Sequence, residues 1–216
     1  MALAGARFLD MATGLNTEAV ARLQTNLEEK RGLRPLTCSG LLLRCYCAAL
    51  TRLGRLEQTL EQLPEDTARL LREPPPPAQW VDGSWLVRLS ETLARTVGRE
   101  GCRRVGCEVA REVTHGPLKP LVTTLLSLHR TRLQAVYDRL GLLANLALRG
   151  PVLLFTPENE RAGTLGIVHL DPMPDALYAL WEGCLVYANS LCGVEGGVGR
   201  ARLGSEGRSG LVHISW

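Results

Sequence analysis

The sequence predicts an α+β fold: N-terminal helices, then a four-stranded antiparallel sheet in strand–strand–helix–strand–strand order packed on helices. Two observations predict it. Apolar residues recur at three- and four-residue steps as far as about residue 148. From Gly150-Pro151 onward the rhythm changes to short runs rich in branched residues, separated by turn formers.

Taken in order, Leu9, Met11, Leu15, Val20, Leu23 and Leu27 give residues 6–30 helical spacing, with Asn16 and Thr17 as caps and Gly32 and Pro35 as the stop. A broadly apolar helix is expected over 39–53 and a more polar one over 56–71. The four prolines Pro74 to Pro77 exclude helix and favour an extended stretch. Trp85, Leu86, Leu89, Leu93 and Val97 mark a helix over 80–98, with Gly98 as its stop. Cys102, Val105, Val109 and Val113 mark another over 100–113. Gly106 lies inside that helix at a cost of about 1 kcal/mol, which close contact with a neighbouring helix would explain. Residues 118–148 form the longest helical stretch.

Val152 to Thr156 and Thr164 to Leu170 read as one hairpin. Asp171, Pro172 and Pro174 open a helix reaching about Cys192. Gly196 to Leu203 and Leu211 to Trp216, joined by a turn at 204–207, read as a second hairpin. Three parts follow: a helical region over 1–73, a proline linker over 74–79, and an α+β ligand- or partner-binding domain over 80–216.

A chain of 216 residues, 45% of them hydrophobic, has enough apolar surface for one core. The net charge of +3 is too weak for a nucleic-acid binder, and the basic residues are nearly all arginine, with Lys30 and Lys119 as the lysines. No apolar run is long enough to span a membrane, and no secretory leader is evident. Seven cysteines without a leader read as reduced thiols, hence a cytoplasmic protein.

Chemistry-bearing patterns are sparse. Cys45-Tyr46-Cys47 lacks the second pair that a tetrahedral metal site needs, and Cys102 and Cys107 point apart on a helix, so no metal is expected. The histidines His115, His129, His169 and His213 show no zinc spacing. The glycine-rich run 193–199 lacks a phosphate loop's Gly-Lys-Ser/Thr end, and no Gly-x-Ser-x-Gly occurs, so no catalytic residue is assigned. The tryptophans Trp80, Trp85, Trp181 and Trp216 are core or interface anchors: burial is expected for Trp85 and Trp181, while Trp80 and Trp216 are the candidate interface.

The run Trp181-Glu182-Gly183-Cys184-Leu185, then Cys192-Gly193-Val194-Glu195 and a closing hairpin ending in Trp216, resembles the final helix and sheet of one superfamily. It groups 4-vinyl-reductase-type ligand-binding domains, haem–nitric-oxide-binding-like domains and TRAPP tethering subunits. Trp80, Trp85, Gly98 and Arg103-Arg104-Val105-Gly106 resemble a myxobacterial family related to it, over about residues 80–216. The resemblance implies a scaffold for an apolar ligand, a haem or a partner protein. Its haem-binding branch uses a proximal histidine, for which His115 is the candidate, and a Tyr-x-Ser-x-Arg motif for the propionates. Here Tyr187-Ala188-Asn189-Ser190 has its serine one place late and no arginine two residues beyond. No cofactor is therefore expected, with an apolar ligand or haem as the exception.

The leading expectation is a non-enzymatic protein that acts through a protein partner, including its own copy as a homo-oligomer, in signalling or assembly. The alternative is a small-molecule sensor with a pocket between the long helices and the sheet, near Trp85, Cys102, His115 and Leu121. An enzyme of unfamiliar type is the third reading.

Overall fold

In the computed structural model, the described residues are 33–116, 119–120, 122–124, 133–137, 139–194, 196–204 and 206–216. The expected helix over 6–30, most of the stretch 118–132, and His129 and Leu121 lie outside them.

The chain enters through a short strand, β1 (Thr37–Ser39), and turns into helix α1 (Gly40–Arg52). Ser39 caps it, its hydroxyl accepting from Leu42 N. Leu42, Leu43, Tyr46, Ala49 and Leu50 recur at helical spacing and are all buried. The helix expected over 56–71 is instead two pieces, α2 (Leu56–Leu60) and α3 (Glu65–Arg72). Pro64 divides them: it lacks an N–H, and its extended backbone can serve only as a cap.

The proline run lies along the start of α1. Arg44 donates to the carbonyls of Pro74 and Pro75, while Gly40 N and Leu41 N donate to those of Gln79 and Pro77. Strand β2 (Trp80–Asp82) then pairs with β1, and β3 (Leu148–Arg149) pairs with the other side of β1, giving a small antiparallel sheet in the order β2-β1-β3. Residues on both sides of the proline run thus share one sheet and one hydrophobic core.

Helix α4 (Ser84–His115) joins the two helices expected on either side of Gly98. Gly98 is a kink rather than a stop: its φ of 69° and ψ of 178° break the helical path for one residue, a conformation open to glycine. Short helices α5 (Leu133–Tyr137) and α6 (Leu140–Ala144) lead into β3.

The C-terminal third matches the expected ββαββ order. Strands β4 (Val152–Asn159) and β5 (Ala162–Val168) form a hairpin, helix α7 (Asp175–Leu191) crosses the sheet, and β6 (Arg202–Leu203) and β7 (Ser209–Ser215) close it. The sheet is antiparallel in the order β4-β5-β7-β6, with Leu165 opposite Phe155 on one side and Val212 on the other.

Helices α4 and α7 meet backbone to backbone. A Cβ on Gly106 would stand 1.8 Å from the Leu180 carbonyl oxygen, and one on Gly183 would stand 1.9 Å from that of Arg103. The internal glycine of α4 thus marks a close helix crossing, as its position suggests. An ion-pair cluster fastens the same seam. Arg99, next to the kink, donates to both carboxylate oxygens of the fully buried Glu182 and to Asp175. Glu182 also accepts from Ala201 N, 2.7 Å away. Each buried carboxylate oxygen therefore has a donor, which a charge in a low-dielectric interior requires.

Candidate functional site

The opposite flank of α7 is not closed. A cavity of about 210 Å³ lies between α1, α4, α7 and the β4–β5 hairpin, with α5 and α6 on its outer side. The wall follows from the periodicities. Val109 and Val113 come from α4, and Leu185, Ala188 and Leu191 from α7, at three- and four-residue steps. Leu165 and Ile167 come from β5 at the two-residue step of a strand, with Leu153 from β4. Val136, Leu140, Leu143 and Ala144 form the outer wall, and Leu42 and Tyr46 the floor from α1.

Several polar atoms of the wall bond to protein neighbours. The Thr114 and Tyr187 hydroxyls bond each other at 3.1 Å. The Cys184 thiol donates to the Gly106 carbonyl oxygen at 3.3 Å. Burial pushes that thiol up to about 12, so it stays protonated. Burial also raises Tyr46 well above the ordinary phenol value. The arrangement can shelter hydrocarbon and is poor in groups for bond making.

Among the described residues no His or Cys stands with acidic residues in a group of three able to hold a metal ion, and no helix is long and apolar enough to cross a membrane. The expected pocket region, between long helices and sheet, is where the cavity lies, but of the residues named for it Trp85, Cys102 and His115 stand elsewhere, and Leu121 is outside the described residues. Trp85 is buried behind the floor, edge-on to Tyr46 with ring centroids 5.5 Å apart. Cys102 is fully buried in the core, its sulfur turned to the Ser90 carbonyl. His115 is exposed at the end of α4, edge-on to Tyr187. Of the candidate interface pair, Trp80 is half-buried under the Arg149 guanidinium, 3.7 Å from its ring centroid, and Trp216 is half-buried against Tyr137 and Phe155.

Behind Trp181, His169 is buried with neither ring nitrogen hydrogen bonded. It stacks on Trp181 at 4.9 Å and meets Tyr178 edge-on. Burial lowers it to about 4, so it is a neutral ring in an aromatic stack.

Solved structures with a similar fold include H-NOX domains. One comes from work on haem redox potential and protein-induced porphyrin distortion; it matches with a TM-score of 0.59 at 16% identity, over 82% of this chain and 99% of that one. An oxygen-binding H-NOX domain related to soluble guanylate cyclases matches with a TM-score of 0.59 at 14% identity, over 82% and 94%. The Fe(II) unliganded H-NOX protein from K. algicida matches with a TM-score of 0.54 at 9% identity, over 82% and 95%. The fold is that of H-NOX domains. No protein-family model matches the sequence, and no curated protein matches it.

The expectation of no cofactor is corrected here: H-NOX structures with this fold are haem proteins, so haem is the group the fold implies. The described wall fits only part of such a group. Its carbon faces suit the hydrocarbon body of a porphyrin. No imidazole, arginine or lysine among the described residues reaches the wall to meet an iron or an acid group, and the one thiol is held neutral. No bond to iron is built from these residues.

The wall residues do not stand out in the sequence because the wall combines a strand period, two helix periods and the short α6. Each by itself reads as ordinary core.

Proposed function

We propose that this chain is a small-molecule sensor domain whose ligand occupies the apolar cavity between α4, α7 and β4–β5. The observation that carries this is the cavity itself, a carbon-lined space in a fold whose solved relatives include an oxygen-binding domain. Apolar walls around a few fixed polar groups are the usual form of a small-molecule site. The likeness of residues 80–216 to the myxobacterial family belongs to the same proposal, as does a protein partner that receives the signal. The expectation of an interaction protein without a ligand gives way to this reading.

The outer wall supplies a means of readout. None of the residues of α6 is buried, although Leu140, Leu143 and Ala144 line the cavity. A segment with so few buried contacts lies at the low end of local stability. A ligand touching those side chains adds contacts that the empty state lacks, and so shifts α6 toward its packed position.

The test is titration of the full chain with haemin, followed by its Soret band, and with the uncharged dye Nile red, followed by its emission. Saturable one-to-one binding of either, abolished by Ala188→Phe, supports the proposal. Unsaturable uptake that is the same in the variant overturns it.

A further inference from the structure

Resting on that reading, we infer that the ligand is an amphiphile with an anionic head, its hydrocarbon body in the cavity and its head between Arg34 and Arg149. A second, open cleft of about 630 Å³ lies on the far side of α6. Ala144, Leu148 and Leu153 line both spaces, so cleft and cavity stand back to back across one layer of apolar side chains. The cavity by itself is smaller than the ~300–1,000 Å³ usual for a ligand site, and with the cleft the space falls within that range.

The cleft differs from the cavity in charge. Arg34 and Arg149 line it, and no carboxylate lines it or pairs with either arginine among the described residues. The backbone brings the two together. Gly150 has a φ of 111°, and a Cβ there would stand 3.0 Å from the Arg34 carbonyl oxygen and 2.8 Å from that of Pro35. The chain after Arg149 is thus pressed against the chain after Arg34. Arg149 is also oriented: its guanidinium lies over the Trp80 ring at 3.7 Å. Stacking occupies the face of the guanidinium and leaves its edge N–H donors free, the geometry that receives a carboxylate or phosphate two bonds at a time.

Two cations in a cleft that backs onto a carbon-lined cavity specify a ligand of two parts. A wholly apolar ligand would leave both arginines without a partner, and a small anion would leave the cavity empty. The outer wall shared by cleft and cavity is α6 and its flanks, where Leu142 and Leu146 are exposed. The side chains that separate cleft from cavity, Ala144, Leu148 and Leu153, are all apolar, so a hydrocarbon chain that parts them crosses no polar side chain. A fatty acid and a porphyrin with carboxylate arms share this chemistry, and the probes separate them.

The experiment uses the full chain with Nile red bound, displaced by palmitate, by hexadecanol of the same chain length, and by haemin. Palmitate is expected to displace the dye at a concentration roughly tenfold below that of hexadecanol. In the Arg34→Gln/Arg149→Gln double variant that preference should shrink to less than about twofold, with hexadecanol unchanged. Arg149→Lys, which keeps the charge but loses the stacked fork, should retain part of it. Displacement by haemin with a shifted Soret band, and the same loss in the double variant, assigns the head to a porphyrin carboxylate and also supports the inference. Equal displacement by palmitate and hexadecanol overturns the anionic head and leaves the cavity reading intact. Failure of all three ligands to displace the bound dye overturns this inference, whereas the cavity reading falls only if the dye itself does not bind one-to-one or binds Ala188→Phe equally.

Discussion

The two flanks of α7 are built on opposite terms. Toward α4 the helices meet through glycines, the backbones touch, and the buried Glu182 has a donor for each oxygen. Toward β4–β5 and α6 the same helix presents Leu185, Ala188 and Leu191 to open space. One helix is thus clamped along one edge and left under-packed along the other. Close-packed interiors hold few voids larger than a water, so a cavity lasts only where the surrounding frame is stiff enough not to collapse into it. The seam supplies that stiffness, and the cavity is its counterpart.

Substitutions on the two flanks are therefore expected to differ in kind. The largest effect is expected at the seam. Gly106→Val places carbon where the Leu180 carbonyl stands and should cost at least about 3 kcal/mol in urea denaturation, or prevent folding.

Next comes acid. His169 has no partner for a charge, and burial lowers it to about 4 from an ordinary value of 6.5. Between those values the unfolded chain binds a proton and the folded chain does not, so stability is full above pH 6.5 and falls as the pH drops. The loss approaches about 3 kcal/mol near pH 4. His169→Phe keeps an aromatic ring in the stack and should remove that part of the pH dependence, measured as urea midpoints from pH 7 to 4.

Glu182→Gln should cost about 2 kcal/mol, since the partly buried Arg99 then keeps only Asp175 as a carboxylate partner. The smallest effect on stability belongs to the open flank. Ala188→Phe should stay within about 1 kcal/mol of the parent, because the ring has space to enter, whereas Ala179→Phe in the closed core should cost about 1–3 kcal/mol. Equal penalties at Ala179 and Ala188 would break the comparison.

Much of this frame was readable from residues. The change at Gly150-Pro151 marks the start of the four-stranded sheet, and the internal Gly106 marks a close helix contact. Trp85 is buried as expected, 1% exposed. The small sheet was not readable, because strands of two and three residues are too short to show an alternation. Gly98 read as a stop because glycine ends helices more often than it bends them. The placing of the site was legible and its residues were not. Trp85, Cys102 and His115 stand out by residue type, but the wall is made of Leu, Val, Ile and Ala, which differ from core residues only in what they fail to touch. The Arg34–Arg149 pair is separated by more than a hundred positions and joined only through β1 and β3.

The central claim is that the open flank of α7 holds a ligand. Native mass spectrometry of the full chain purified from its own cells tests it most directly. A one-to-one adduct of a hydrophobic small molecule is expected, and it is absent from Ala188→Phe. A parent chain that carries nothing and takes up neither palmitate nor haemin would contradict it.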